Sequence, residues 1–273
     1  MQAGSESALK QILATPKQVL KKSAETPFLL PLITRLFLTM AEKSIVYLIP
    51  AFLHEAGLHV LPSYLLQTIE KCSVFFVENE RSARRYLKQL KKELIIDDYE
   101  WYAIEKAETV VIQQFQQKIT EGKIIGIISE AGCPGVADPG QLLVAAAHNM
   151  HAKVIPLVGP SSVLLALMAS GMNGQRFSFY GYLPIEGHQR VKAIKELETE
   201  SIKQDCTQIF IETPYRNHQL LEGLLKTCRQ QTSLCIAANL TGPDEYIKTQ
   251  TIAQWKQTPV ELHKKPVIFL LKG

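Results

Sequence analysis

A chain of 273 residues, 46% of them hydrophobic, is long enough to bury a substantial core in one large or two ordinary domains. Thirty Lys and Arg against 26 Asp and Glu leave a formal charge of +4, a mild basic excess that accommodates an anionic partner such as RNA without specifying one. Five cysteines (Cys72, Cys133, Cys206, Cys228, Cys235) form no C-x-x-C pair, and the histidine pair His148 and His151 has no further ligands nearby, so we expect reduced core thiols of a cytoplasmic protein and no metal site.

Residues 1–39 open with the Lys-bearing helical pattern "LKQILATPKQVLKKSAE" and continue into "TPFLLPLITRLFLTM", which Pro31 and Arg35 interrupt. A membrane-spanning helix needs roughly 20 apolar residues, so this stretch is read neither as a span nor as a secretory signal. A docking helix and an upstream extension ahead of a start at Met40 are both compatible with it.

From Ser44 onward, short β-branched or aromatic runs alternate with longer amphipathic ones, the pattern of an α/β fold with parallel strands. Strands are expected in "SIVYLIP", "SVFFVE", "EWYAI", "KIIGIIS" and "KVIPLVG", with helical stripes such as Leu87, Leu90, Leu94 and Val111, Phe115, Ile119 between them. Further on come "CTQIFIET", "SLCIAANL", "EYIKTQTI" and "KPVIFLLK", with helices in "RVKAIKELE" and "NHQLLEGLLKTC". These crowded late strands favour a mixed, partly antiparallel sheet. The expected organisation is an extension over residues 1–43, a parallel-stranded amino-terminal α/β domain over 44–174, and a mixed-sheet carboxy-terminal α/β domain over 175–273.

Two strand-to-helix loops stand out. "SEAGCPGVADPG" at 129–140 combines Gly132, Gly135 and Gly140 with Pro134 and Pro139; such glycines allow positive φ and close backbone approach, while the prolines stiffen the loop. Open α/β sheets bind ligands at this end of their strands. The loop matches neither G-x-G-x-x-G nor G-x-x-x-x-G-K-[ST], so neither a nicotinamide dinucleotide nor a nucleoside triphosphate is indicated. "VGPSS" at 158–162 is a second such junction, where a serine caps the helix or meets a ligand.

With these loops in view the chain resembles the tetrapyrrole methylase superfamily, the class III S-adenosylmethionine-dependent methyltransferases, and within it the branch that acts on small-subunit ribosomal RNA. "SEAGCPGVADPG" stands against a segment like "SDAGTPGISDPG", "VGPSS" against "PGPSA", "RFSFYGYLP" at 176–184 against "RFLFEGFLP", and "ETPYR" at 212–216 against "ESPHR". The likeness runs in order from about Ser44 to Gly273. Two loops depart: "YLIPAFLHEAG" keeps Pro50 of a "VATPIGNL"-like segment, and "VENERSARR" keeps Glu78 and Arg81 of an "AEDTR"-like one.

The resemblance implies a two-domain class III methyltransferase fold, a homodimer, and S-adenosylmethionine held between the domains. It assigns cofactor contacts to Pro50, Glu130, Ala131, Gly132, Cys133, Ser161 and Ser162 of the first domain, and to Ile211, Ala238, Leu240 and Pro266 of the second. Glu78, Arg81 and Arg216 are the implied substrate contacts. Cys133 has no local histidine, and methyl transfer from a sulfonium needs no covalent enzyme intermediate, so we read it as pocket lining. Glu78, Asp138 and Glu212 are acids near the expected cleft, among which the sequence does not choose a base. The implied function is 2′-O-methylation of a cytidine in small-subunit ribosomal RNA. A tetrapyrrole or other small-molecule acceptor, and a non-catalytic relative that binds S-adenosylmethionine or RNA, are the alternatives.

Overall fold

The computed structural model describes residues 44–104 and 108–273. The docking helix or extension expected ahead of Met40 lies outside the described residues.

Strands β1 (Ile45–Ile49), β2 (Val74–Val77), β3 (Glu100–Ala103), β4 (Ile124–Ile128) and β5 (Lys153–Pro156) form one sheet in the order β3-β2-β4-β1-β5. Every neighbouring pair is parallel. Helices α1 (Leu65–Ile69), α2 (Glu80–Leu90), α3 (Glu108–Thr120) and α4 (Gly140–Asn149) make the crossovers. They cover both faces, which is why β2 is apolar and buried at all four positions rather than alternating. Alternation along β2 sends adjacent phenylalanines to opposite sides. Phe75 stacks on Trp101 with ring centres 5.0 Å apart among residues of α1 and α2, while Phe76 stacks on Tyr102 at 4.8 Å beside Phe115 of α3.

The expected stripes supply these contacts: Val111, Phe115 and Ile119 of α3 are buried on one face, and Leu87 of α2 on the other. Asn79 starts α2 by accepting hydrogen bonds from the N–H groups of Arg81 (2.9 Å) and Ser82 (3.2 Å), satisfying donors that have no partner inside the helix.

A second sheet holds β6 (Phe177–Tyr182), β7 (Thr207–Ile211), β8 (Ser233–Ala238), β9 (Tyr246–Thr251) and β10 (Val267–Lys272) in the order β6-β7-β10-β8-β9. The β6–β7 pair is parallel and the others are antiparallel, giving the expected mixed sheet. No strand is expected from sequence at 177–182, yet β6 lies there. Its pairing with β7 shifts register between Phe179 and Tyr182, where Gly181 takes φ +68°, and this interrupts the alternation by which a strand is recognised.

Helices α6 (Gly187–Gln204), α7 (Asn217–Thr227) and α8 (Ile252–Trp255) pack on one face of this sheet through Ile194, Leu197, Leu220, Leu224 and Trp255. The other face receives α5 (Ser162–Ser170), which follows the last strand of the first sheet. Its Val163, Ala166 and Leu167 bury themselves against Ile209, Cys235, Ala237, Ile268 and Leu270. One helix therefore ties the carboxyl ends of the first sheet's strands to the second sheet, and the region between them is where the conspicuous loops meet. No helix among the described residues is long and apolar enough to cross a membrane.

Candidate active site

The strand order places the carboxyl ends of β4, β1 and β5 side by side, so the loops after them share one edge of the sheet. They are bonded to one another. Ala51 donates its N–H to the Gly132 carbonyl (2.9 Å) and Gly132 returns one to Ala51 (3.2 Å). The thiol of Cys133 donates to the Pro160 carbonyl at 3.4 Å, and buried Tyr86 donates its hydroxyl to the Pro50 carbonyl at 2.7 Å.

Each glycine of the 129–140 loop answers a separate constraint. Gly132 and Gly135 have φ of +73° and +81°, a region that side chains with a Cβ enter at a cost. Gly140 has an ordinary φ, but a Cβ there would lie 2.9 Å from Asp138 Oδ1. That oxygen accepts the N–H groups of Gly135 (2.8 Å) and Gly140 (2.7 Å), closing the loop on itself ahead of α4. Burial holds the Asp138 carboxyl above its ordinary value against the pull of those two N–H groups. Burial also pushes the Cys133 thiol up, which keeps it protonated and a poor nucleophile, as expected of pocket lining.

Between these loops and the second sheet lies a cavity of about 60 Å³. Ala131, Gly132, Cys133, Ser161, Ser162 and Ile211, expected from sequence, come together around it, with Val136, Ala137, Val163, Phe179 and Ile268 alongside. Ile211 and Ile268 are paired across β7 and β10, so the strand that inserts β10 beside β7 brings a late residue to an early loop. Phe179 sits in β6, the strand not expected from sequence, and the break in alternation at Gly181 is why the sequence does not point to it. Among the described residues, no charged side chain lines the cavity.

The other expected cofactor residues lie around it rather than on its wall. Pro50 is buried behind Gly159, where an added Cβ would come within 2.2 Å of its ring. Ala238 and Leu240 are buried in the core of the second sheet. The carbonyl of Pro266 accepts the Asn239 N–H at 3.0 Å, holding the end of β8 to the start of β10. The Glu130 side chain accepts the Ser82 hydroxyl, and the Glu130 N–H donates to Glu78 Oε1 at 2.9 Å. Glu78 and Glu130 thus lock the loop after β2 to the loop after β4.

Ser161 caps α5 by accepting the Leu164 N–H at 3.5 Å, and it also lines the cavity.

Arg81 is exposed at the start of α2 and forms no side-chain ion pair with the described residues. Its neighbours differ: Arg84 reaches Glu80 (2.8 Å) and Asp97 (3.0 Å), Arg85 reaches Glu55 (3.2 Å), and Lys91 reaches Glu70 (2.6 Å). Arg216 donates Nε (3.0 Å) and Nη2 (2.7 Å) to Glu212 Oε1, which also accepts the Thr213 N–H at 2.7 Å. The Glu212 side chain is 1% exposed and its Oε2 is buried without a partner. No cluster among the described residues contains three or more His, Cys, Asp or Glu able to hold a metal ion.

A parallel five-stranded sheet joined to a mixed five-stranded sheet, with a cleft at the carboxyl edge of the first, is the two-part fold of class III methyltransferases. The sequence model of the family Tetrapyrrole (Corrin/Porphyrin) Methylases matches residues 63–256, and the chain belongs to that family. Among solved structures, the methyltransferase CobJ superposes with a TM-score of 0.54 at 15% identity, covering 84% of this chain and 93% of that one. The uroporphyrin-III-C-methyltransferase of Thermus thermophilus does so at 0.50 and 16% identity, covering 84% and 92%.

In sequence, the chain is 33% identical over 172 residues to the ribosomal RNA small subunit methyltransferase I of Vibrio cholerae serotype O1, 62% of this chain and 57% of that protein. It is 32% identical over 157 residues to the protein of that name in Buchnera aphidicola subsp. Schizaphis graminum, 56% of this chain and 54% of the relative. The chain therefore spans little more than half the length of these curated relatives.

Proposed function

We propose that the chain is an S-adenosylmethionine-dependent methyltransferase whose acceptor is small-subunit ribosomal RNA, at a cytidine 2′-hydroxyl. The observation that carries this is the bonding of three strand-end loops into one backbone-lined rim opposite an apolar wall. An adenosine joined to a methionine sulfonium requires such surroundings: apolar walls, backbone partners and few charges. Val163, Phe179, Ile211 and Ile268 supply the walls, and the Ala131–Cys133 backbone supplies donors and acceptors.

The residues fit the cofactor in chemistry. In volume the 60 Å³ cavity falls well below the roughly 300 Å³ of ordinary ligand pockets, so binding widens it. Val136, 50% exposed, stands on the solvent side of that lining.

Bound S-adenosylmethionine supplies an electrophilic methyl group. The chain's own part is to hold the acceptor oxygen in line behind that group, and positioning alone supplies much of the rate in such displacements. Asp138 and Glu212 keep their carboxylates on backbone N–H groups and Arg216, so in this reading they maintain geometry rather than take a proton. Glu78, Arg81 and Arg216 flank the approach, and the exposed part of each guanidinium meets backbone phosphate. The names of the sequence relatives support ribosomal RNA as acceptor. The two sheets support domains at 44–174 and 175–273, and the proposal includes a homodimer acting in the cytoplasm.

The test is a 2′-O-methylation map of small-subunit ribosomal RNA from a strain lacking the gene. One cytidine is expected to lose its mark; an unchanged map rules out this acceptor and leaves the small-molecule reading to be assayed.

A further inference from the structure

A second cavity lies away from the cleft. A groove of about 390 Å³ lies on the far side of the second sheet, between the edge strand β6 and α6. Tyr180, Tyr182 and Leu183 form one wall, Leu197 the floor, and Glu196 and Glu200 the opposite rim.

Four features of this groove point outward to a partner. First, β6 ends the sheet: no strand pairs with its outer edge among the described residues, and it presents Phe177, Tyr180 and Tyr182 at 41%, 48% and 60% exposure. Natural edge strands are ordinarily covered or guarded by charge, and this one has neither lysine nor proline within its span. Second, Tyr180 and Tyr182 stand two apart in the strand and line the same groove.

Third, the acidic rim is unspent in a chain of net charge +4: Glu200 has no ion pair among the described residues, and Glu196 has only a loose one with Lys192 at 3.9 Å. Fourth, the groove is held open. Buried Arg190 donates to the carbonyls of Pro184 (3.2 Å) and Ile185, fixing the turn that leaves β6.

We propose that this groove binds an extended basic polypeptide segment, which adds a strand to the free edge of β6 and lays a Lys or Arg side chain between Tyr180, Tyr182 and the Glu196–Glu200 rim. Main-chain bonding to an open edge supplies affinity, and the pocket supplies selectivity. Aromatic faces attract a cation, and the two carboxylates complete its surroundings. Nucleic acid is disfavoured here because its phosphates would face the glutamates. The proposal does not depend on methyl transfer, since the groove lies apart from the cleft residues.

Fluorescence anisotropy of the full chain with a labelled alternating Lys–Val peptide, of ordinary strand length, tests it. Saturable binding is expected, with no binding of the Glu–Val counterpart. The double variant Glu196→Gln/Glu200→Gln, whose exposed side chains leave the fold intact by circular dichroism, is expected to bind about tenfold more weakly. Tyr182→Ala is expected to weaken it about fivefold. A Lys–Val peptide N-methylated at alternate backbone nitrogens is expected not to bind, because it cannot pair with an edge. Unaltered affinity in the double variant, equal binding of the acidic peptide, or no binding to the wild-type chain would overturn the proposal.

Discussion

Pro50 and Gly159 face each other across the carboxyl edge of the first sheet so closely that a Cβ on Gly159 would sit 2.2 Å from Pro50 Cβ. The pair fixes the spacing of the loops after β1 and β5, and with it one side of the cleft. Gly159→Ala is expected to destabilise the chain by about 1–3 kcal/mol through overpacking and to weaken cofactor binding at the same time. Gly135 offers a contrast, because a Cβ there meets nothing but the backbone stands at φ +81°. Gly135→Ala is expected to cost roughly 1–2 kcal/mol from backbone strain alone. Urea melts of both variants, read beside calorimetric affinities, check the two causes.

Asp138 separates hydrogen bonding from charge. Asp138→Ala leaves the N–H groups of Gly135 and Gly140 without their acceptor and is expected to cost about 2 kcal/mol. Asp138→Asn keeps the oxygen and removes a charge that burial disfavours, so it is expected to stay within about 1 kcal/mol of the wild type at neutral pH.

The pH dependence of that comparison follows from the raised value of the Asp138 carboxyl. A carboxyl raised in the fold favours the folded state only when protonated: its contribution is present at low pH and lost as pH climbs through the folded value. The wild type should therefore gain on Asp138→Asn as the medium is acidified toward the ordinary carboxylate range. Paired denaturation midpoints across that range measure the trend, and a gap that moves the other way contradicts the assignment.

How much of this was readable without coordinates differs from element to element. The buried strands announced themselves because parallel strands covered on both faces are continuous apolar runs, as in "SVFFVE" and "KIIGIIS". The loop at 129–140 was conspicuous because its backbone needs glycine for three local reasons. By contrast, β6 escaped because Gly181 breaks its period, and its Phe179 was missed with it. Ile268 was out of reach for another reason: nothing local says that the last strand inserts between β7 and β8. The hydrogen bond from Ser82 to Glu130 joins residues 48 apart in the chain, so the role of that carboxylate had to come from tertiary structure.

Glu212 and Arg216 make a further test. Removing the guanidinium leaves a carboxylate that is 1% exposed without its cation, and Arg216→Ala is expected to lose about 3 kcal/mol. Arg216→Ala/Glu212→Gln should recover part of that loss, since the buried charge is gone as well. A double-mutant cycle by urea denaturation gives the coupling, and a value near zero rejects the pair as a structural element.

Arg81 is expected to behave in the opposite way. Exposed and without an ion pair among the described residues, it should change stability by no more than about 0.5 kcal/mol when replaced by Ala. If it meets a phosphate, the same change lowers the slope of log affinity for RNA against log salt by about one. Arg84→Ala, already paired with Glu80 and Asp97, should leave that slope alone and lower stability instead.

The central claim, that the cleft between the two sheets holds S-adenosylmethionine, is tested most directly by calorimetric titration of the full chain with that compound, beside Gly132→Val. A Cβ at Gly132 would press within 3.2 Å of the Pro160 carbonyl at a φ of +73°, closing the rim of the cleft. One site per chain in the wild type, lost in a Gly132→Val variant that still folds, is the predicted result. An absence of binding heat in the wild type, or undiminished binding in Gly132→Val, would contradict it.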